Sequence, residues 1–176
     1  MASPNPSIER TSQGRSRPLR RRSCRTLGNM QTRTESDWGE IDLRNLDALT
    51  AREHFMGRSL AEAGALFIEN AFVFQEDLFS MPRIPFNFYA PVFSSYVVSP
   101  AAYGNADGGS SYLAFVEELL GRQPDLVQKE TLRLLLETAE RVAQNQAFYE
   151  ADPSIYGSFA ERHQSVQRLA RQTGVK

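Results

Sequence analysis

The sequence predicts an all-α protein: a helical bundle of about five helices with one long central helix. Three observations predict it. Apolar residues between Met56 and Leu169 recur at spacings of three and four, the period of one helix face. Proline and glycine separate the runs, at Pro82, Pro100, Gly121, Pro124 and Gly157. No segment sustains a two-residue alternation, so no sheet is expected, and no repeat of solenoid length occurs.

A net charge of −1 over 176 residues conceals two unlike parts. Residues 1–33 carry eight arginines and one glutamate, a net of +7, and the remainder carries 12 basic and 20 acidic residues, a net of −8. Residues 1–36 form an Arg-, Ser- and Pro-rich tail with too few apolar side chains to offset the entropy of ordering it, so disorder is expected there. Residues 37–176 read as a single helical domain, large enough to bury a self-sufficient core. No apolar run follows Arg20-Arg21-Arg22, which excludes a secretory signal. Such a tail serves as a solvated extension, as a targeting segment similar to an organelle transit peptide, or as a weak contact to polyanions. A start at Met30 would remove it altogether. Cys24 is the one cysteine, so there is no internal disulfide and no cysteine-based zinc site, and the expected setting is cytoplasmic.

The elements follow in order. Between Trp38 and Leu49 the chain is irregular, anchored by Trp38, Ile41, Leu43 and Leu46. "TARE" at Thr50 to Glu53 has the form of a reciprocal cap and opens the central helix, which runs to Phe79 and stops at Pro82. Met56, Leu60, Ala63, Phe67, Ala71, Phe74 and Leu78 make its main seam. Ile68, Phe72 and Phe79 extend the apolar surface on one flank, and Phe55, Leu66 and Val73 on the other. Gly57, Ala61 and Gly64 form a small-residue patch suited to a neighbouring helix. A helix is expected over residues 86–98, a loop over 99–109 and a third helix over 110–121. A fourth, over 125–150, has a core face of Leu132, Leu135, Ala139, Val142, Gln146 and Tyr149. "SFAE" at Ser158 to Glu161 caps a last helix, which Gly174 ends.

"IPFNFYAPVFSSYVVSPAAYGNA", Ile84 to Ala106, holds six aromatic rings and no charge. Its prolines, serines and asparagines exclude a transmembrane segment. The rings are then either core or a contact surface, and Phe86, Phe88, Tyr89, Phe93 and Tyr96 are the interaction candidates.

Catalytic and metal chemistry find little support. Glu62, Glu69 and Glu76 stack along the central helix, but a ferritin-like dinuclear site also needs Glu-x-x-His pairs, and the sequence has none. The stripe is read as solvated. "GNADGGSS" lacks the Gly-Lys-Ser/Thr ending of a phosphate loop and the glycine and glutamate positions of a calcium loop. His163 falls on the apolar face of the last helix, and His54 is expected to be exposed. The sequence implies no catalytic residue, no cofactor and no metal. No helix has a basic face, which argues against specific nucleic-acid binding. Two functions remain. One is a non-enzymatic bundle acting through a protein partner or as a homodimer. The other is a small-molecule or enzymatic pocket lined by rings of residues 86–103, with Glu69, Asn70 and His163 as its polar groups.

Overall fold

The computed structural model describes residues 32–173. Expectations about the tail, apart from its last five residues, and about Gly174 fall outside them. Residues 32–36 join the domain: the Thr34 backbone N–H donates to the Asp37 carboxylate at 2.9 Å and opens α1 (Glu35–Trp38). Trp38 is buried against the core, whereas Leu43 and Leu46 are exposed and anchor nothing.

The central helix is not continuous from Thr50. α2 (Leu46–Phe55) begins earlier, where the Asn45 side chain accepts from the Ala48 N–H at 3.1 Å. Thr50 is thus inside α2 and caps nothing. Met56 is extended and Gly57 is left-handed at φ 78°, a conformation that suits glycine. The reciprocal cap lies nine residues further on, at the start of α3 (Leu60–Phe79). There the Ser59 N–H donates to Glu62 Oε2 at 2.8 Å, and Ser59 Oγ accepts from the Glu62 N–H at 3.3 Å. "TARE" and "SLAE" have the same local form. Burial decides between them, because the break lets α2 bury Ala51 and bring the ring of Phe55 back against Phe67.

α3 is the long helix of the bundle. At Asn70 its backbone leaves the helical region, and the Asn70 side chain accepts from the Val73 N–H at 3.1 Å, capping the second half afresh. α4 (Arg83–Val97) returns antiparallel, with Pro91 inside it. The ring-rich segment is this helix. Pro100–Ala102 makes a single 3₁₀ turn, and α5 (Ala106–Arg122) starts four residues before its expected place. Asn105 caps it by accepting from the Gly108 N–H at 2.8 Å, so the glycines of "NADGG" are helical, not loop. α6 (Lys129–Gln144) is shorter than expected, and a 3₁₀ turn, Gln146–Tyr149, carries its core line onward. α7 (Pro153–Tyr156) is one turn, and α8 (Phe159–Gln172) begins where Ser158 accepts from the Glu161 N–H at 3.3 Å.

α3 packs on α4 and α5, α6 packs on α4 and α5, and α8 closes the far side against α5 and α6. The described residues therefore form an all-α bundle of five principal helices, with α2 laid across the end of α3. Among them no helix is long and apolar enough to cross a membrane.

Candidate functional site

The five ring candidates occupy the centre and one margin of the bundle. Phe86, Tyr89 and Phe93 are fully buried, Tyr96 nearly so, and Phe88 is half-buried. Phe67 of α3 stacks on Phe93 at 4.9 Å with planes 9° apart, and Phe93 meets Tyr112 and Phe115 edge-on. Aromatic pairs of this kind contribute about 1 kcal/mol each beyond the area they bury. The tyrosine hydroxyls fasten helix ends. Tyr89 donates to the carbonyls of Phe55 and Arg58 at 2.7 and 2.9 Å, across the α2–α3 break. Tyr149 donates to the Val97 carbonyl at 2.8 Å, and the Tyr112 hydroxyl bonds Ser94 Oγ at 2.7 Å. Asn105 Nδ2 donates to the Tyr96 hydroxyl at 2.6 Å. Phe88 carries the Arg33 guanidinium 4.1 Å above its ring, a cation–π contact.

The three polar candidates do not converge. Glu69 and Asn70 are exposed on α3, where Asn70 is occupied as a helix cap. His163 is half-buried in a shallow groove between α6 and α8, beside Arg133, Glu137 and Gln167. Glu62, Glu69 and Glu76 are all exposed, as expected of a solvated stripe. The Ser59 N–H and hydroxyl hold the Glu62 carboxyl below its usual range. No metal-holding group of His, Cys, Asp or Glu occurs among the described residues.

His54 departs from its expectation. It lies in the last turn of α2, half-buried, with its ring edge-on to Phe74 at 5.2 Å and Nδ1 2.7 Å from Asp77 Oδ2. Burial pushes the Asp77 carboxyl up, and the hydrogen bond to His54 pulls it partly back. Asp77 also lines a cleft of about 390 Å³ with Asp47, Thr50, Glu76, Glu118 and Arg122. No periodic pattern marks this pair, because its members are 23 residues apart on two helices.

The outer face of α3 is the other feature. Gly64 does not mark a close helix approach, since a Cβ there would meet Val92 at an ordinary 3.7 Å. The side chains facing away from the bundle are apolar nonetheless. Ile68 is 59% exposed, Phe72 58% and Val73 45%. Ala61 and Ala65, also exposed, continue the line toward the start of the helix, and Glu62, Glu69 and Glu76 run beside it. Among the described residues, no arginine or lysine forms an ion pair with any of these three glutamates. Compared with known protein families, with curated proteins and with solved structures, the chain shows no match.

Proposed function

We propose that the protein is a non-enzymatic helical docking module, and that it works by binding a basic, amphipathic segment of a partner protein on the outer face of α3. The supporting observation is the placement of Ile68, Phe72 and Val73. Ile84 and Ile155 are also exposed, but they stand singly on separate elements, as surface apolar residues commonly do. Ile68 and Phe72 lie on either side of the break at Asn70 and Val73 follows, all three exposed within one short stretch of α3. The ring stack of Phe67 on Phe93 holds that element rigid from behind.

The flanking carboxylates select the partner. Two copies meeting α3 to α3 would bring six like charges of the Glu62, Glu69 and Glu76 stripes to one seam, which is unfavourable. A partner helix with arginine or lysine beside its apolar line meets both features at once.

The test titrates the full chain with two fluorescein-labelled helical peptides of one leucine pattern, one with arginine and one with glutamate at its polar positions. The basic peptide binds and the acidic one does not. Covering each half-exposed side chain contributes about 1 kcal/mol, so Ile68→Ser with Phe72→Ser weakens binding roughly tenfold or more. Equal binding to the double variant, or no binding of either peptide, defeats the proposal. A dimer by light scattering that the double variant dissolves would replace the basic partner with a second copy.

A further inference from the structure

We propose that the cavity where the C-terminal ends of α4 and α6 meet is a binding site for a small aromatic carboxylate, held by Arg141 and by the rings of Phe148 and Tyr149. The site lies apart from the outer face of α3 and is independent of the docking reading.

The cavity has a volume of about 300 Å³ and is lined by Val98, Arg141, Asn145, Phe148 and Tyr149. That is the lower end of the range for small-molecule sites, which combine apolar walls with a few polar groups. Val98 ends α4, Arg141 and Asn145 come from the last turn and the cap of α6, and the two rings come from the 3₁₀ turn Gln146–Tyr149.

Hydrogen bonding identifies the charge of the ligand. An arginine in the last turn of a helix ordinarily answers the free carbonyls there. Here those carbonyls have other partners. Asn145 Nδ2 donates to the Arg141 carbonyl at 2.7 Å, and the Asn145 N–H donates to that of Val142 at 3.2 Å. The Tyr149 hydroxyl spends its proton on the Val97 carbonyl. The Arg141 guanidinium, by contrast, forms no ion pair among the described residues, and no carboxylate among them lines the cavity. What the cavity offers a ligand is a cationic fork of N–H donors, which a planar carboxylate matches in charge and geometry. The body of net −8 opposes an anion at long range. Charges beyond about 10 Å are largely screened at 0.1 M salt, so the arginine in contact decides.

The rings identify the rest of the ligand. Phe148 and Tyr149 stand 5.0 Å apart with planes at 88°, a corner that offers a third ring one face and one edge. Phe148 is fixed from behind: Tyr103 meets it edge-on at 5.6 Å, and its carbonyl accepts from the Gly104 N–H at 3.1 Å. Glu150, next in the chain, is left-handed at φ 53°, a strained conformation for a residue with a side chain. It ends the 3₁₀ turn directly after the two rings and so fixes their direction. A wall set before the ligand arrives loses little freedom on binding.

The probe is 2-naphthoate, and 2-naphthamide is its uncharged counterpart. The full chain is titrated with each and followed by amide chemical shifts. Naphthoate moves the amides of Val98, Arg141, Asn145, Phe148 and Tyr149 to saturation, and it binds about tenfold tighter than naphthamide, because a charge-assisted pair outweighs a neutral one. Arg141 is exposed, so Arg141→Gln leaves the fold intact. It removes the preference for the acid and leaves the affinity for the amide unchanged, a split that a loss of structure would not produce. Val98→Trp fills the cavity and abolishes saturable binding of both probes. Equal affinity for acid and amide in the native chain, a preference that survives Arg141→Gln, or binding that survives Val98→Trp overturns the proposal. Shifts centred on Ile68, Phe72 and Val73 overturn it too, since the probe then adheres to the outer face of α3. None of these outcomes decides whether the basic peptide binds that face, which its own titration measures.

Discussion

Gly109 shows how much one hydrogen atom can decide. It sits in the first turn of α5, where a Cβ would lie 2.8 Å from Tyr149 Cγ and 3.1 Å from Phe159 Cε2. Both rings are buried and neither can withdraw. Overpacking of this kind costs about 1–3 kcal/mol, so Gly109→Ala lowers the denaturation midpoint. Gly121, near the end of the same helix, faces open space. Gly121→Ala gains helix propensity, and the midpoint rises by the equivalent of about 0.5–1 kcal/mol. Chemical denaturation of the two variants checks the pair, and destabilisation of equal size would contradict the packing argument. The doublet "GG" before "SSY" looks like loop in the sequence because the ring that requires it comes 40 residues later.

At the scale of elements, Asn87 joins α4 to the connection between α5 and α6. Its Nδ2 donates to the carbonyls of Arg83 and Leu126 at 2.7 and 2.9 Å, and its Oδ1 accepts from the Gln128 N–H at 2.7 Å. Pro91, one turn further along, has no N–H to give the Asn87 carbonyl, so α4 is locally weakened where this side chain braces it. Asn87→Ala is expected to cost about 1–2 kcal/mol. Amide exchange should accelerate most at Gln128 and in the first turn of α6, and an effect confined to α4 would refute the bridging role.

The α2–α3 break is the clearest case of an element the sequence places wrongly. Both "TARE" and "SLAE" satisfy the local cap, and the choice depends on Phe55 reaching the core and on Tyr89 bridging the carbonyls of Phe55 and Arg58. Those partners are more than 30 residues away in the chain. The start at Ser158, by contrast, is set by the Glu161 N–H three residues on, and the sequence shows it directly because no rival cap competes with it.

Taken whole, the molecule is held together by rings whose hydroxyls are buried, and this sets its behaviour in alkali. Burial pushes the Tyr149 hydroxyl up to about 12 and raises that of Tyr112 further. A folded pKa above the unfolded value of about 10 means that the native state keeps protons the unfolded chain releases. The stabilisation is complete below pH 10 and is lost as pH rises toward 12, by up to about 1.4 kcal/mol per pH unit for each tyrosine. Tyr149→Phe flattens this decline between pH 10 and 12, at a cost of about 1 kcal/mol at neutral pH from the lost bond to the Val97 carbonyl. Urea midpoints measured across that range check it, and an unchanged slope would count against Tyr149 as the titrating group.

The sequence by itself determined the helical class, the exclusion of a membrane span from residues 84–106, the core lines of α6 and α8, and that of α3 from Ala63 to Leu78, although Met56 and Leu60, expected at the start of that seam, are exposed. Each of these depends on periodicity or punctuation within a few turns of chain, which a single strand of text records. Tertiary structure alone decided where α2 stops, that α5 begins at Ala106, that His54 pairs with Asp77, and which of the surplus apolar residues remain outside. The rings of residues 84–106 and the flank residues Ile68 and Phe72 are equally apolar on the page. Phe86, Tyr89, Phe93 and Tyr96 of the first group are consumed by the core, and Ile68 and Phe72 are left facing solvent, because a helix has more sides than this bundle has neighbours to cover them.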